Sequence, residues 1–241
     1  MTTNVRWTGW HLTGFTLNFL TMLSMIAIMW AALLYAKPAA NLAGVEQIAQ
    51  RIFYVHLGCW FATLAGYIMS IVGSVAYLFS RYLNWDRVTQ SSIELGALFA
   101  TAGTITGAIW AKPTWNTYWT WDPRLTTTTI TVLIYVAYLL FRNGIENRRT
   151  RALFGTIYAL VASFSLPLTY YSARWFRSIH PIIWDGANEE AQGSFEIGVT
   201  MGHTLTITMI GFCLLYSALM IQRMRQLRME DSVAELREEL E

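Results

Sequence analysis

The amino-acid sequence predicts an all-α, polytopic membrane protein with six transmembrane helices and both termini in the cytoplasm. Only 13% of its 241 residues are charged and 54% are hydrophobic, whereas soluble globular domains carry about 25% charged residues. The apolar residues lie in blocks close to the ~20 residues that a helix needs to cross a bilayer core. These features exclude a disordered chain, a secreted disulfide scaffold and an ordinary cytosolic enzyme. The formal net charge of +2 is too small to suggest a nucleic-acid partner.

Six apolar segments are long enough, or nearly so, to be spans. The first is too long for the apolar region of a signal peptide, so we expect it to be retained. The fourth is the shortest and is expected to extend a little at either end. In chain order, the predicted spans cover residues 15–36, 55–79, 93–110, 126–141, 152–171 and 197–221. They form a predicted membrane domain over 1–221.

A charged tail, 222–241, follows the last span. Its apolar residues Met229, Val233, Leu236 and Leu240 recur at helical spacing. This pattern predicts a solvated helical extension in the cytoplasm. Docking of the tail to a cytoplasmic ATPase or to another membrane subunit is the alternative.

The basic residues predict the orientation, because cytoplasmic loops of membrane proteins carry an excess of Lys and Arg. The side that we place in the cytoplasm has 11 of them: Arg6, Arg81, Arg87, Arg142, Arg148, Arg149, Arg151, Arg223, Arg225, Arg228 and Arg237. The outer side has six: Lys37, Arg51, Lys112, Arg124, Arg174 and Arg177. Eight of the 11 tryptophans also fall in the outer half: Trp30, Trp60, Trp110, Trp115, Trp119, Trp121, Trp175 and Trp184.

The third loop, 110–125, is rich in tryptophan and reads WAKPTWNTYWTWDPRL. Five aromatic residues lie within its first 12 positions. One interpretation is an aromatic belt at the membrane interface, where Trp and Tyr are common. The other is a platform for a large flat ligand or a docking surface, because aromatic rings supply contact area with little rotamer entropy to lose. Spacing alone does not choose between them.

Two of the four histidines are expected on the same outer side as this loop. His56 lies at the start of the second span and His180 in the fifth loop. They are a candidate pair of metal or haem-iron ligands, because haem iron in proteins takes axial ligands such as imidazole. His203, inside the sixth span, is either a hydrogen-bonded packing residue or a group that faces a polar cavity. His11 is expected at the cytoplasmic interface.

Other outer residues suit the remaining parts of a haem. The loop aromatics, Trp110, Trp115, Tyr118, Trp119 and Trp121, could shield a porphyrin. Cations pair with carboxylates, and arginine does so in bidentate fashion, so the candidate propionate ligands are Arg51, Lys112, Arg124, Arg174 and Arg177. Asp122 is expected to cap the fourth span or to pair with Arg124.

The two cysteines, Cys59 and Cys213, both lie within spans and form neither a C-x-x-C nor a C-x-x-C-H motif. A disulfide framework, a redox pair and covalent attachment of haem to this chain are therefore unsupported. We expect both thiols to be buried and unreactive.

The tryptophan loop resembles the "WWD" signature of bacterial haem-handling proteins. The residues that carry the likeness are Trp110, Trp115, Trp119, Trp121 and Asp122. His56 and His180 lie on either side of this loop in the sequence, the chain has six predicted spans, and residues 175–181 read WFRSIHP. Together these features make nearly the whole chain resemble the haem exporter protein C (CcmC) family of cytochrome c maturation. It departs from the family's pattern at Ala111, Tyr118 and Pro123, which bear on the shape of the loop.

The resemblance implies a haem-transfer protein of the bacterial inner membrane that is not an enzyme. Haem b would be bound non-covalently, in transit, at the periplasmic face, with His56 and His180 on the iron. The implied partners are the haem chaperone CcmE, the small membrane protein CcmD and the CcmA–CcmB ABC transporter.

The alternative is a haem lyase of the same superfamily that attaches haem to apocytochrome c. Six spans and four histidines argue against it. An electron-carrying b-type subunit and a channel are weaker hypotheses, because the spans hold few histidines and few polar groups.

Overall fold

The computed structural model describes residues 8–39, 42–181 and 197–240, and these residues contain helices and no strands. The helices are α1 Thr8–Trp30, α2 Val45–Ala49, α3 Ile52–Ser80, α4 Leu83–Trp115, α5 Pro123–Asn143, α6 Arg148–Ala162, α7 Ser165–Trp175 and α8 Val199–Leu240. A π-helical turn, Ala31–Tyr35, continues α1. The predicted all-α class is therefore confirmed. Trp184 and the side chain of His11 lie outside the described part.

Within the described ranges, six segments are long and apolar enough to cross a membrane, the number predicted. They are Gly14–Tyr35, Val45–Ser80, Leu83–Trp115, Pro123–Asn143, Arg148–Trp175 and Val199–Arg237. The orientation of the termini stays a prediction. We call the end of the bundle at Trp115 and Pro123 the tryptophan end, and the end at Arg81 and Arg148 the arginine end.

Helices α3 and α4 form the most extensive pair in the bundle. Glycines allow their backbones to come close, as small residues do between membrane helices. A Cβ added at Gly66 would lie 2.9 Å from the carbonyl oxygen of Ser92, and one added at Gly73 would lie 3.0 Å from that of Trp85. The antiparallel pair forms the scaffold against which α5, α6 and α8 pack.

The predicted fifth span, 152–171, is not one helix. It is divided into α6 and α7 by a turn at Ser163 and Phe164. Pro167 explains the break, because it offers no N–H to the carbonyl of Ser163 and its ring crowds that carbonyl. The break allows α7 to take its own direction toward the tryptophan end, where it packs on α5.

The predicted loop over 110–125 is mostly helical. Residues 110–115 form the last turns of α4, and α5 begins at Pro123, so only 116–122 are irregular. Helix α4 continues through Pro113 and ends at Asn116, which adopts the left-handed conformation with φ +57°. Lys112 fixes this end by donating from Nζ to the backbone and side-chain oxygens of Asn116 at 3.0 and 3.1 Å. Pro123 occupies the first turn of α5, a position that suits proline.

A buried ion pair joins α4 and α5 near the arginine end. The guanidinium of Arg142 donates to both carboxylate oxygens of Asp86, at 2.7 and 2.5 Å, and to Oε1 of Gln90 at 3.1 Å. Arg142 was expected in the flanking loop, but it lies within α5 with its side chain buried. The bidentate geometry offsets part of the cost of removing two charges from water.

The tail is the continuation of α8, not a separate unit. A single helix runs through the predicted boundary at 221 to Leu240. Its Asp231 accepts from Arg87 and Arg148 at 2.7 and 2.6 Å, which ties the tail to α4 and α6. The helical prediction is confirmed, and Met229, Val233, Leu236 and Leu240 are exposed as expected.

Candidate functional site

The tryptophan end contains a cavity of about 280 Å³ that both candidate histidines line. It lies between α3, α4, α5, α7 and the irregular segment that follows α7. Its polar and aromatic lining residues are His56, Trp60, Phe61, Thr63, Tyr67, Thr104, Trp110, Trp115, Tyr118, Trp119, Arg124, Thr128, Thr131, Thr169, Tyr170, Arg174 and His180. The structure thus brings together residues that are more than 120 positions apart in sequence.

His56 lies in the second turn of α3 and is buried. Its Nδ1 is 2.9 Å from the carbonyl oxygen of Gly103 on α4. Because a carbonyl only accepts hydrogen bonds, Nδ1 carries the proton and Nε2 keeps a lone pair. Gly107 makes room for the ring, since a Cβ there would lie 2.8 Å from Cε1 of His56.

His180 lies in the irregular segment that follows α7 and is half-buried. Its Nδ1 is 3.0 Å from the carbonyl oxygen of Pro181, so its Nε2 also keeps a lone pair. Burial, and to a smaller extent the charges of Arg124 and His56, lower the pKa of His180 to about 3. The imidazole is therefore neutral at physiological pH, which is the form that binds metals.

Asp122 is buried at the start of α5, outside the cavity wall. It is the N-cap of α5, with Oδ1 accepting from the backbone N–H of Arg124 at 2.8 Å, so the predicted capping role is confirmed. The same carboxylate accepts from Ser178 and from the backbone of Ile179, at 3.0 and 2.8 Å. It therefore connects α5 to the segment that carries His180.

Two of the five candidate propionate ligands line the cavity. Arg124 donates from Nη1 to the carbonyl oxygen of Tyr170 at 3.1 Å, and Arg174 lies 4.3 Å from the centre of the Tyr170 ring. Arg51 instead donates to the carbonyl of Leu33. The other two, Lys112 and Arg177, are also absent from the lining.

Four of the five predicted loop aromatics line the cavity: Trp110, Trp115, Tyr118 and Trp119. Trp121 is 83% exposed and meets the edge of Trp119, with ring centres 5.9 Å apart. Trp60 and Tyr67, on the same face of α3 as His56, were not predicted as site residues. Their spacings of four and 11 residues from His56 could have identified them.

His203 belongs to a different part of the bundle. Its Nδ1 lies 2.8 Å from the hydroxyl of Tyr35, which identifies it as a hydrogen-bonded residue at the surface. Cys59 is buried as expected, but Cys213 is exposed on α8. Neither cysteine lines the cavity among the residues that the structure describes.

The cavity combines an apolar wall with a few groups of defined chemistry. Among its described lining residues there is no carboxylate, and the ionisable side chains include two guanidiniums and two imidazoles. The described residues also contain no cluster of three His, Cys, Asp or Glu suited to a bare metal ion. Such a cavity suits a ligand with a flat apolar body, anionic groups and a metal with two open coordination positions.

Comparison with known proteins gives one consistent result. The family description "Heme exporter protein C" (CcmC) matches residues 4–239. The chain is 30% identical to "Heme exporter protein C" of Paracoccus denitrificans over 73% of this chain and 71% of that protein. It is 31% identical to the protein of the same name from Haemophilus influenzae, over 76% and 73%. It is 27% identical to a "Putative cytochrome c biosynthesis ccmC-like mitochondrial protein" of Marchantia polymorpha, over 67% and 65%.

The family match covers the whole cavity and the described helices apart from the last residue of α8, and the six membrane-capable helices fit a multi-pass membrane protein. The chain belongs to the haem exporter protein C (CcmC) family.

Proposed function

We propose that this protein binds haem at the tryptophan end, with His56 and His180 as the axial ligands. Family membership supports a role in haem handling for cytochrome c maturation. The observation that supports the site is that two imidazoles line one largely apolar cavity, each with Nδ1 bonded to a backbone carbonyl. That bond orients the ring and leaves Nε2 for the iron, as second-shell partners of metal-bound histidines do.

The other lining residues suit the remaining parts of the haem. Trp110, Trp115, Tyr118 and Trp119 would contact the porphyrin, and Arg124 and Arg174 would bind the propionates. No cysteine lines the described cavity, so the haem would be held without a covalent bond. Haem b in transit fits this chemistry.

Release to a partner follows from where the ligands lie. His180 and Trp119 are in irregular segments at the end of the bundle, and Tyr118 is 60% exposed. A site with one wall built from irregular segments and with an open edge can deliver its cargo without the bundle coming apart. We infer that the tryptophan end faces the periplasm of the bacterial inner membrane and that the haem passes to the chaperone CcmE. CcmD and the CcmA–CcmB transporter are the further proposed partners, and the protein would act without turning over a substrate.

The visible spectrum of the purified protein tests the site. We expect a Soret band from bis-imidazole haem in the wild type, and its loss in the His56→Ala, His180→Ala double variant. His203→Ala is the matched control, because His203 bonds to Tyr35 away from the cavity. An unchanged spectrum in the double variant would show that these histidines do not hold the iron.

Transfer is tested by mixing the haem-loaded protein with haem-free CcmE and separating the two. We expect haem to appear on CcmE. Formation of a thioether-linked cytochrome by this chain alone would instead support the lyase hypothesis.

A further inference from the structure

Asp122 uses both carboxylate oxygens, and most of its bonds go to the segment before His180. Oδ1 accepts from the N–H of Arg124 at 2.8 Å and from the hydroxyl of Ser178 at 3.0 Å, and Oδ2 accepts from the N–H of Ile179 at 2.8 Å. The N–H of His180 then donates to Oγ of Ser178 at 3.1 Å. A continuous chain of hydrogen bonds therefore runs from the first turn of α5 to the backbone of His180.

Capping alone does not require this arrangement. An N-cap needs one side-chain oxygen, and Ser, Thr or Asn provides it as well as Asp does. A buried carboxylate is costly unless several donors compensate it. Here two of the three donors come from a segment some 56 positions away in sequence, so the charge is fully compensated only when that segment is in place.

The consequence for the cavity is geometric. Arg124 follows Asp122 by two residues and lines the cavity, as His180 does. One carboxylate therefore holds the backbone of Arg124 directly and that of His180 through Ser178 and Ile179. The cation and the imidazole on this wall are fixed relative to each other, although they belong to different elements.

We propose that Asp122 and Ser178 are positioning residues that hold His180 at the height needed to bind the iron. The inference rests on the proposed function, in which His180 is an axial ligand. Neither side chain touches the haem in this arrangement. They act by restricting the backbone of 178–180, which would otherwise lose entropy each time the ligand binds.

Hydrogen exchange in the haem-free protein tests the restraint by itself. Asp122→Ser keeps a capping hydroxyl for α5 but is too short, with one oxygen, to reach Ser178 and Ile179 together. We expect the Ile179 amide to exchange at least about tenfold faster in this variant, because a hydrogen bond to a charged acceptor is lost. Ser178→Ala, which leaves Asp122 intact, should accelerate exchange less. Asn147→Ala is the control, since Asn147 caps α6 with a single bond to the N–H of Thr150 and should leave 176–181 unchanged.

The spectrum of the haem-loaded variants tests the consequence for ligation. We expect Asp122→Ser and Ser178→Ala to shift the haem toward a state with one imidazole, the state also expected of His180→Ala, and free imidazole to restore the wild-type spectrum. A wild-type spectrum in Asp122→Ser overturns the inference, whether or not the amide exchanges faster. The proposed function fails separately, if the histidine double variant keeps its spectrum.

Discussion

Gly107→Ala gives a direct test of how tightly the structure holds His56. The added Cβ would lie 2.8 Å from Cε1 and 3.1 Å from Nδ1 of the His56 ring. Non-bonded carbon atoms prefer a separation of about 3.5–4.0 Å. The ring would therefore have to move by about 0.7 Å, away from α4.

This displacement acts on the bond that orients the ring. The Nδ1 of His56 lies 2.9 Å from the carbonyl of Gly103 on the same helix, so moving away from α4 stretches this hydrogen bond. Losing a bond of this kind costs about 1 kcal/mol, and a poorly aimed Nε2 adds to that cost. We expect haem affinity to fall about tenfold, since tenfold corresponds to about 1.4 kcal/mol.

Stability should respond less than affinity. Replacing a helical glycine with alanine gains about 1 kcal/mol of helix propensity, which offsets part of the crowding. Thermal unfolding of the haem-free protein and haem titration followed at the Soret band measure the two effects. Gly202→Ala is the control, because a Cβ at Gly202 on α8 meets nothing within 4 Å. Wild-type affinity and spectrum in Gly107→Ala would refute the packing argument for His56.

Three further predictions concern the cations, the pH and the arginine end. Arg124→Gln and Arg174→Gln should each weaken haem binding by about tenfold or more. Binding of haem dimethyl ester should stay unchanged in both variants, because the ester has no propionate charge. Equal losses of affinity for haem and for its ester in parallel titrations would contradict the propionate role. The folded pKa of His180, about 3, is below the unfolded value of 6.5, so its contribution to stability is complete above pH 6.5 and declines as the pH falls toward 3. The acid limb of the unfolding curve should be shallower in His180→Gln, and identical limbs would count against burial of the ring. Asp86→Asn should destabilise the protein by about 3–5 kcal/mol, because it leaves Arg142 buried without its counter-charge. Thermal unfolding measures this loss. A change below about 1 kcal/mol would be incompatible with a buried ion pair.

The number of spans and the pair of histidines could be predicted because both depend on local signals. Apolar length identifies a span whatever it packs against, and chain order then places His56 and His180 at the same end of the bundle. Asp122 as a helix cap was also predictable from its position before Pro123 and Arg124.

Contacts between distant segments could not be predicted in this way. Nothing in the sequence around Arg51 indicates that it binds the carbonyl of Leu33, whereas Arg124 and Arg174 reach the cavity. In the sequence, nothing distinguishes Arg142 from an arginine in a loop. Its buried bond to Asp86, with Nη1 2.7 Å from Oδ1, depends on the packing of α4 against α5. The same holds for Ser178, whose role depends on where α7 ends after the break at Ser163 and Phe164.

Helix boundaries at the site were misjudged for a physical reason. Pro113 and the run of tryptophans suggested a loop from Trp110 onward, but a proline in the last turn removes only one hydrogen bond, and the aromatic residues pack well on a helix. The tryptophan platform is therefore half helical, with Trp110 and Trp115 on α4 and Tyr118 and Trp119 beyond its end.

Because α8 is one unbroken helix, the membrane span fixes the direction in which each side chain of the tail points around the helix axis. At 1.5 Å per residue its 42 residues extend about 63 Å, roughly twice the thickness of a hydrocarbon core. Each residue turns the helix by about 100°, so inserting one residue after Gln222 would rotate Asp231 away from Arg87 and Arg148 without altering any side chain. Two inserted alanines would rotate it by about 200°, whereas seven would restore the facing to within about 20°. The direction in which Asp231 points around the axis of α8 therefore depends on the number of residues that separate it from the membrane span.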